Sequence, residues 1–219
     1  MILQGATMIK AITAALLLSL SMTAFAQPSP EEIAEWRAAA GQGEAWAQSN
    51  LGQMYDRGDG VPQDSAVAMK WWTKAAEQGY AKAQYNLALM YADGEGVPKD
   101  NATAVKWYTK AAEQGYADAQ LNLGLMYGNG LGVPQDDATA VKWYTKAAEQ
   151  GVASAQENLA FMYAKGEGVP QDNVMAYMWW NLAAAQGDEN AKENKGKLQD
   201  SMTSAQIEEA QTLSRECLA

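Results

Sequence analysis

The stretch KWYTKAAEQG occupies residues 106–115, and the same ten letters return at residues 142–151. A close variant, KWWTKAAEQG, occupies residues 70–79. Glycines keep the same 36-residue spacing along most of the chain, at Gly43, Gly79, Gly115, Gly151 and Gly187. A period of this length is typical of solenoids, in which each unit buries its apolar face only against its neighbours.

Each unit is predicted to contain two helices joined by a glycine-rich turn. In the second unit the first helix, which we call helix A, reads AKAQYNLALMYADG and has apolar residues at helical spacing. In the turn DGEGVPKD, the glycines permit unusual backbone angles and the proline cannot continue a helix. The second helix, helix B, reads NATAVKWYTKAAEQ and ends at a glycine cap. The apolar stripes consist of Ala83, Leu87, Met90 and Tyr91 in helix A, and of Ala104, Trp107, Tyr108, Ala111 and Ala112 in helix B.

The two ends of the array are predicted to carry atypical helices, since a solenoid has to cover its open ends. WRAAAGQG at residues 36–43 matches the end of a helix B, which indicates a lone helix B near residues 30–42. Residues 187–199 begin as a helix A but place Lys195 where leucine is expected. A last amphipathic helix is predicted at about residues 204–216.

The fourth helix B differs from the other copies on the side that faces away from the core. Met178 and Leu182 stand there in place of the lysines that the other copies carry. Two explanations stay open. Either the C-terminal helices cover these apolar residues, or the two positions have drifted without structural meaning.

These observations predict an all-α fold with nine or ten helices and no sheet. The second and third units agree at 28 of 36 positions, so the period is specific. The expected organisation in chain order is a signal peptide at 1–26, an N-terminal capping helix at 27–42, four repeats at 43–78, 79–114, 115–150 and 151–186, and a partial repeat with a capping helix at 187–219.

The N-terminal residues have the three parts of a secretory signal peptide. Lys10 precedes an apolar run at residues 11–20, and the letters AFA that end at Ala26 provide a cleavage pattern. We expect cleavage after Ala26, a periplasmic or secreted bacterial protein, and no membrane span in the mature chain. An uncleaved membrane anchor is the alternative, although the apolar run is short for a bilayer span.

The composition argues against several classes of function. The chain carries 16 Lys and Arg against 26 Asp and Glu, for a formal net charge of −10, and it has no histidine. Nucleic acid and anionic lipid repel such a chain, so neither is an expected partner. The absence of histidine excludes Ser-His and Cys-His nucleophile systems and the usual metal sites that contain histidine. We therefore predict no catalytic residue, no cofactor and no metal site.

The repeat resembles the Sel-one-like repeat (SLR) family, a branch of the tetratricopeptide-repeat superfamily. The likeness rests on the 36-residue period, on A-x-x-N-L-x-x-M-Y in helix A, on G-x-G-V-P-x-D in the turn and on A-x-x-W-[WY]-x-x-A-A-x-x-G in helix B. It covers residues 43–186 fully and the flanking segments in part. The resemblance implies a right-handed α-solenoid that serves as a protein-binding scaffold or adaptor. For exported bacterial members it implies a role in envelope signalling or host contact.

One branch of that family is cysteine-rich, and some of its members are described as binding or hydrolysing β-lactams. The chain departs from this branch, because its single cysteine, Cys217, lies outside the repeats. The β-lactam activity of that branch is therefore not carried over to this chain. An envelope hydrolase that acts on β-lactam or peptidoglycan-like substrates is the alternative to a scaffold. We expect a monomer, with a dimer linked through Cys217 as the alternative.

The binding site is predicted at positions that vary between repeats, because the invariant positions hold the solenoid together. Helix A has three such columns spaced four residues apart, so they share one side of the helix, which we call the variable face. This face lies opposite the apolar stripe, on the side expected to line the concave surface of the solenoid. The columns hold Ser49, Tyr85, Leu121 and Glu157, then Gln53, Leu89, Leu125 and Phe161, and then Arg57, Asp93, Asn129 and Lys165.

Nine of these residues form the predicted contact with another protein or an extended peptide, since exposed apolar residues rimmed by charge often mark such contacts. They are Tyr85, Leu89, Leu121, Leu125, Phe161, Arg57, Asp93, Asn129 and Lys165. The alternative is that the apolar members belong to the core between repeats. We expect Leu121 at the surface, on the opposite side of the helix from Leu123.

Overall fold

The computed structural model describes residues 28–217, and these residues form eleven α-helices and no strand. The helices are α1 Pro30–Gly41, α2 Ala45–Arg57, α3 Ser65–Glu77, α4 Ala81–Asp93, α5 Asn101–Glu113, α6 Ala117–Asn129, α7 Asp137–Glu149, α8 Ala153–Lys165, α9 Asn173–Ala185, α10 Glu189–Gln199 and α11 Ser204–Cys217. The predicted all-α class is confirmed. The predicted signal peptide lies outside the described residues. No helix in the described part of the chain is both long and apolar enough to cross a membrane.

Helices A are α2, α4, α6 and α8, each 13 residues long. Each is followed by a glycine in the left-handed region of backbone space, where a side chain with a Cβ would be strained. These glycines are Gly58, Gly94, Gly130 and Gly166, with φ between 64° and 79°. The apolar stripe of each helix faces the core, and we call its most buried members the framework leucines. They are Leu51, Leu87, Leu123 and Leu159, each at most 1% exposed.

Helices B are α3, α5, α7 and α9, and an aspartate caps the start of each one. Its carboxylate accepts a hydrogen bond, 2.9–3.0 Å long, from the backbone N–H three residues later. Such a cap satisfies an N–H group that has no partner within the helix. The four capping residues are Asp64, Asp100, Asp136 and Asp172. The capping aspartate stands two residues after the proline of each Gly-Val-Pro turn, and helix B begins at the next residue.

Within a repeat, a large aromatic ring of helix B packs onto a small residue of helix A. A Cβ placed on Gly52 would lie 2.5 Å from the ring of Trp72. A Cβ placed on Gly124 would lie 2.6 Å from the ring of Tyr144. The rings thus occupy the volume that a side chain would need, and the two helices approach closely without a void.

Within residues 28–217 the core runs along the chain as four clusters of buried residues rather than as one central mass. The main contacts join consecutive helices, such as α2 with α3 and α3 with α4, and α11 also packs on α9. Contact between nearest neighbours is the defining feature of a solenoid. The predicted architecture is confirmed in this respect.

A ladder of buried glutamines connects successive repeats. The side chain of Gln84 on α4 donates to the carbonyl oxygen of Ala76 at 3.1 Å and accepts from the amide of Gln114 at 2.7 Å. Gln48, Gln120 and Gln156 make the equivalent pair of hydrogen bonds, each with one bond to the preceding unit. A buried amide left without partners costs roughly 1–3 kcal/mol. The ladder therefore favours one fixed register between neighbouring repeats.

The N-terminal helix α1 occupies the segment near residues 30–42 where a lone helix is predicted, and Ser29 caps its start. The Ser29 hydroxyl accepts from the Glu32 backbone N–H at 3.2 Å, and the Glu32 carboxylate accepts from the Ser29 N–H at 2.7 Å. This reciprocal pair is a complete capping box. Ile33 and Ala40 of α1 are buried against α2, so α1 covers the first repeat.

At the C-terminal end, the apolar residues of α9 are covered. Met178 and Leu182 are only 5% and 3% exposed, and both belong to the core cluster that contains Ala210 of α11. The Ser214 hydroxyl of α11 lies 3.4 Å from the Met178 carbonyl oxygen, which accepts its hydrogen bond. Of the two explanations for these residues, the structure supports a cover rather than drift.

The helix count exceeds the expected nine or ten because residues 189–199 form a complete helix, α10. The Asp188 carboxylate caps it by accepting from the Ala191 N–H at 2.9 Å. Lys195 does not interrupt the helix. Its ammonium group donates to the Asn181 side-chain oxygen at 3.0 Å and lies 5.8 Å from the ring centre of Tyr177. These contacts accommodate a lysine at the position where leucine was expected.

Candidate protein-binding site

The variable face of helices A is amphipathic in the folded chain. Tyr85, Leu89, Leu121 and Leu125 are half-buried, whereas Phe161 is 45% exposed. The members at the last position of each helix A are charged or polar, and all four are exposed. These are Arg57, Asp93, Asn129 and Lys165. A partially apolar strip with a charged edge therefore follows the repeats.

A groove of about 380 Å³ is lined mainly by residues of α2 and α4, together with one residue of α3, one of the turn after α4 and the residue that precedes α6. We call it the N-terminal groove. It brings together four of the nine predicted residues, namely Arg57, Tyr85, Leu89 and Asp93. The remaining lining residues are Gln53, Asp56, Trp72, Lys82, Asn86, Met90, Glu95 and Tyr116.

The aromatic part of the N-terminal groove is built by Tyr85 and Tyr116. Their ring centres lie 5.0 Å apart, and the Tyr85 ring lies 5.9 Å from that of Tyr108. The Asn122 amide donates to the Tyr108 hydroxyl oxygen at 3.2 Å, which fixes the ring behind them. Burial raises the pKa of the Tyr85 and Tyr116 hydroxyl groups. Both therefore stay neutral at physiological pH and offer an apolar face with a polar tip.

The acidic part of the groove consists of Asp56, Asp93 and Glu95. Burial raises the pKa of the Asp56 carboxyl, the charge of Glu95 raises it further, and Arg57 opposes both effects. In residues 28–217 the ion pairs lie on α10, so none of these three carboxylates is held in an ion pair. The groove thus presents negative charge next to an aromatic surface.

Lys82 is the second cation of the N-terminal groove besides Arg57, and a neighbouring helix holds it in place. Its ammonium group donates to the side-chain oxygen of Gln53 on α2 at 3.0 Å. This hydrogen bond crosses from the second repeat to the first. Lys82 therefore helps to define the wall of the groove and is not engaged with the acidic part.

A second groove, of about 340 Å³, lies where α8 and α9 meet α10 and the turn that follows it. We call it the C-terminal groove. It contains Phe161 and Lys165 of the predicted set, and the Lys165 ammonium lies 5.7 Å from the Phe161 ring centre. Lys197 lines the same groove. The two grooves therefore differ in charge, since lysines line the C-terminal one and carboxylates dominate the N-terminal one.

The other three predicted residues line neither groove. Leu121 and Leu125 pack against the core cluster of the third and fourth repeats. The Asn129 amide donates to the Leu125 carbonyl oxygen at 2.8 Å. Leu121 is half-buried rather than at the surface, because the next repeat of the solenoid reaches this side of α6. The apolar members of the variable face thus contribute to the core as well as to the surface.

Several lining residues of the N-terminal groove escaped the sequence reasoning, among them Tyr116, Asp56 and Lys82. Tyr116 directly precedes α6, at a position where the sequence predicts a turn. Asp56 and Lys82 do not follow the four-residue spacing of the variable face. The residue at each of these three positions differs between repeats. A search for variable positions that did not also require the four-residue spacing would therefore have found them.

The described residues contain no group of three or more acidic or cysteine side chains placed to hold a metal ion. Asp100, which follows the turn after α4, is instead engaged as a cap. Its carboxylate accepts from the Thr103 hydroxyl at 2.6 Å. This cap lowers the pKa of the Asp100 carboxyl. The arrangement as a whole offers aromatic and charged surface for noncovalent binding.

Comparison with known proteins gives a family match along the repeats. The sequence matches the family described as Sel1 repeat at residues 47–80, 81–116, 117–152 and 153–188. These four consecutive matches cover more than half of the chain. A comparison with curated proteins gives no significant match.

Two solved structures are similar to the chain in both sequence and fold. A Sel1 repeat protein from Oxalobacter formigenes is 35% identical with a TM-score of 0.74, and the match covers 85% of this chain and 74% of that one. A protective antigen present in uropathogenic Escherichia coli strains, which displays an SLR fold, is 47% identical with a TM-score of 0.71 over 73% of this chain. The match covers 34% of the antigen, so the chain spans about a third of its length.

Proposed function

The chain belongs to the Sel1 repeat family, and on this basis we propose that it is a non-catalytic scaffold that binds another protein or an extended peptide in the N-terminal groove. Proteins of this family are generally scaffolds for protein interaction. The observation that carries the proposal is the groove itself, where Tyr85 and Tyr116 lie beside Asp93 and Arg57.

The composition of the N-terminal groove suits a protein contact. Tyrosine is enriched among the residues that contribute most to protein interfaces, because its ring covers a large apolar area and its hydroxyl group can form a hydrogen bond. Tyr85 and Tyr116 are held next to each other by packing, so little conformational freedom is lost when a partner covers them. The charged rim adds specificity.

We propose further that the chain acts in the periplasm or outside the cell, in envelope signalling or host contact. Lys10, the apolar run at residues 11–20 and the cleavage pattern before Gln27 support export. The similar Escherichia coli protein is a protective antigen, which fits a role at the interface with a host. A hydrolytic role is not proposed, since nothing in the two grooves favours it.

Photo-crosslinking in cells tests both proposals at once. p-Benzoylphenylalanine replaces Tyr85 in one variant and, as a matched control, Lys106 in the other, because Lys106 is exposed on helix B away from the groove. We expect a discrete cross-linked product from position 85 and only background from position 106. N-terminal sequencing of this chain within the product should begin at Gln27.

The contrary outcomes are distinct. A product that forms only from position 106 would move the contact to the lysine-bearing outer face of helices B. A product whose chain still starts at Met1 or Met8 would contradict cleavage of a signal peptide.

A further inference from the structure

The carboxylates of the N-terminal groove lie where two helices end. Asp56 and Arg57 are the last two residues of α2, Asp93 is the last residue of α4, and Glu95 follows in the turn. The carbonyl groups at the end of a helix carry partial negative charge, which adds to that of the side chains. This part of the groove therefore has a stronger negative potential than its formal charges alone would give.

The two cations of the groove, Arg57 and Lys82, offset this potential only in part, since three carboxylates line the same groove. Lys82 is hydrogen-bonded to Gln53, and none of the three carboxylates forms an ion pair in the described part of the chain. The like charges of Asp56 and Glu95 act on each other, while Arg57 offsets them only in part. An additional positive charge placed there would be attracted.

Aromatic surface adjoins these carboxylates within the same groove. Tyr85 and Tyr116 present neighbouring rings, and Leu89 lies one turn further along α4. A lysine or arginine side chain combines an apolar stem with a charged end, and arginine also stacks on aromatic rings. The carboxylates thus match the charged end of such a side chain. The aromatic surface matches its apolar stem and an apolar neighbouring residue.

We infer that the N-terminal groove receives an extended segment of a partner protein that carries a lysine or arginine next to an aromatic or aliphatic residue. The cation contacts Asp93 and Glu95, and the apolar residue covers Tyr85 and Tyr116. This inference rests on the proposed function and specifies the chemistry of the partner.

Other occupants fit the groove less well. An anionic ligand would meet the carboxylates of the groove in a chain of net charge −10. A metal ion would need a group of closely placed ligands, and the described residues do not provide one. A second copy of the chain could offer the lysines of its C-terminal groove, Lys165 and Lys197, and this occupant is an outcome of the test below.

Peptide selection tests the inference. A phage-displayed library of random linear dodecapeptides is selected on the chain from Gln27 onwards, which is the predicted mature form. The enriched peptides are expected to contain lysine or arginine within a few positions of an aromatic or aliphatic residue. Enrichment of acidic or uncharged peptides would overturn the inference, and so would the absence of any enriched peptide.

The dependence on the carboxylates is measured with one enriched peptide by fluorescence anisotropy. The double variant Asp93→Asn with Glu95→Gln is expected to raise the dissociation constant about tenfold or more. The control Glu113→Gln with Glu149→Gln makes the same change in net charge at exposed residues of helices B. The control is expected to bind within about twofold of the unmodified chain, since it alters only distant screened charge.

The outcomes separate this inference from the proposed function. An equal loss of affinity for the peptide in both double variants would mean that net charge alone attracts the peptide, which overturns the inference. If Tyr85→Ala with Tyr116→Ala still abolishes binding in that case, the groove remains the binding site with different chemistry. If this tyrosine variant binds the peptide normally, the proposed site itself is wrong. Self-association lost in Lys165→Gln with Lys197→Gln would identify a second copy as the occupant and overturn the inference.

Discussion

Gly132→Ala is expected to lower the free energy of unfolding by about 4 kcal/mol or more, among the largest losses that a single substitution produces. Gly132 has φ of 73°, a region that strains residues with a side chain. Its added Cβ would lie 2.4 Å from the carbonyl carbon of Asn101 and 2.5 Å from its oxygen. These are backbone atoms at the start of α5, so relief requires movement of a whole helix.

The same contact recurs one repeat later, where a Cβ on Gly168 would lie 2.4 Å from the carbonyl carbon of Asp137. The Gly-Val-Pro turn of one repeat thus packs against the start of helix B in the preceding repeat. This contact explains why the turn needs glycine at its first position. Glycine is thus required at this position by the close contact between repeats, in addition to being preferred by the backbone geometry of the turn.

Gly151→Ala is the matched control for Gly132→Ala. Gly151 also has a positive φ, 85°, but a Cβ added to it would have no other atom within 4 Å. Its substitution is expected to cost only the backbone strain, about 1–2 kcal/mol. Urea unfolding followed by circular dichroism measures both variants. Similar losses in the two would show that the turn does not pack against the preceding repeat as described.

Leu123→Ala is expected to cost about 2–5 kcal/mol, because it removes buried methyl groups and leaves a cavity. Leu123 is completely buried in the cluster that includes Tyr108 and Met126. The control is Leu131→Ala, the same substitution at a leucine that is 42% exposed in the turn after α6. The control should change the stability by about 0.5 kcal/mol or less.

Urea unfolding followed by circular dichroism also measures the stability of Leu123→Ala and Leu131→Ala. Loss of stability in both variants to the same extent would contradict the assignment of Leu123 to the framework. Leu121, two residues earlier, is not expected to tolerate a charge without cost, since it is half-buried against the next repeat. A charge at that position would be partly removed from water without a partner.

The fold could be predicted from the sequence because its rules act over short distances. The 36-residue period and the glycine stops each act within one or two repeats, and the structure contains both. Even the covered residues Met178 and Leu182 were recognisable, because they break the lysine pattern of the other copies. The sequence does not indicate that α10 is a complete helix, because Lys195 stands where leucine is expected. In the structure the hydrogen bond from Lys195 to Asn181 accommodates this lysine.

The candidate site was only partly predictable, for a physical reason. Its residues meet across repeats, and their meeting depends on how each repeat is rotated and shifted against the next. The pairing of Tyr85 with Tyr116 joins the middle of α4 to the residue before α6, which no spacing within one helix reveals. The same limit applies to the hydrogen bond that the Gln84 side chain donates to the Ala76 carbonyl oxygen of the preceding repeat, because the recurrence of both residues does not indicate that they touch.

The central claim is that the N-terminal groove binds the partner while the framework holds the fold. The most direct test is the dissociation constant of Tyr116→Ala for the partner identified by cross-linking, compared with that of Tyr80→Ala. Tyr80 is half-buried at the equivalent position one repeat earlier but does not line the groove. We predict a dissociation constant raised about tenfold or more for Tyr116→Ala and nearly unchanged for Tyr80→Ala, with both variants folded. Equal affinity of the two variants for the partner would contradict this claim.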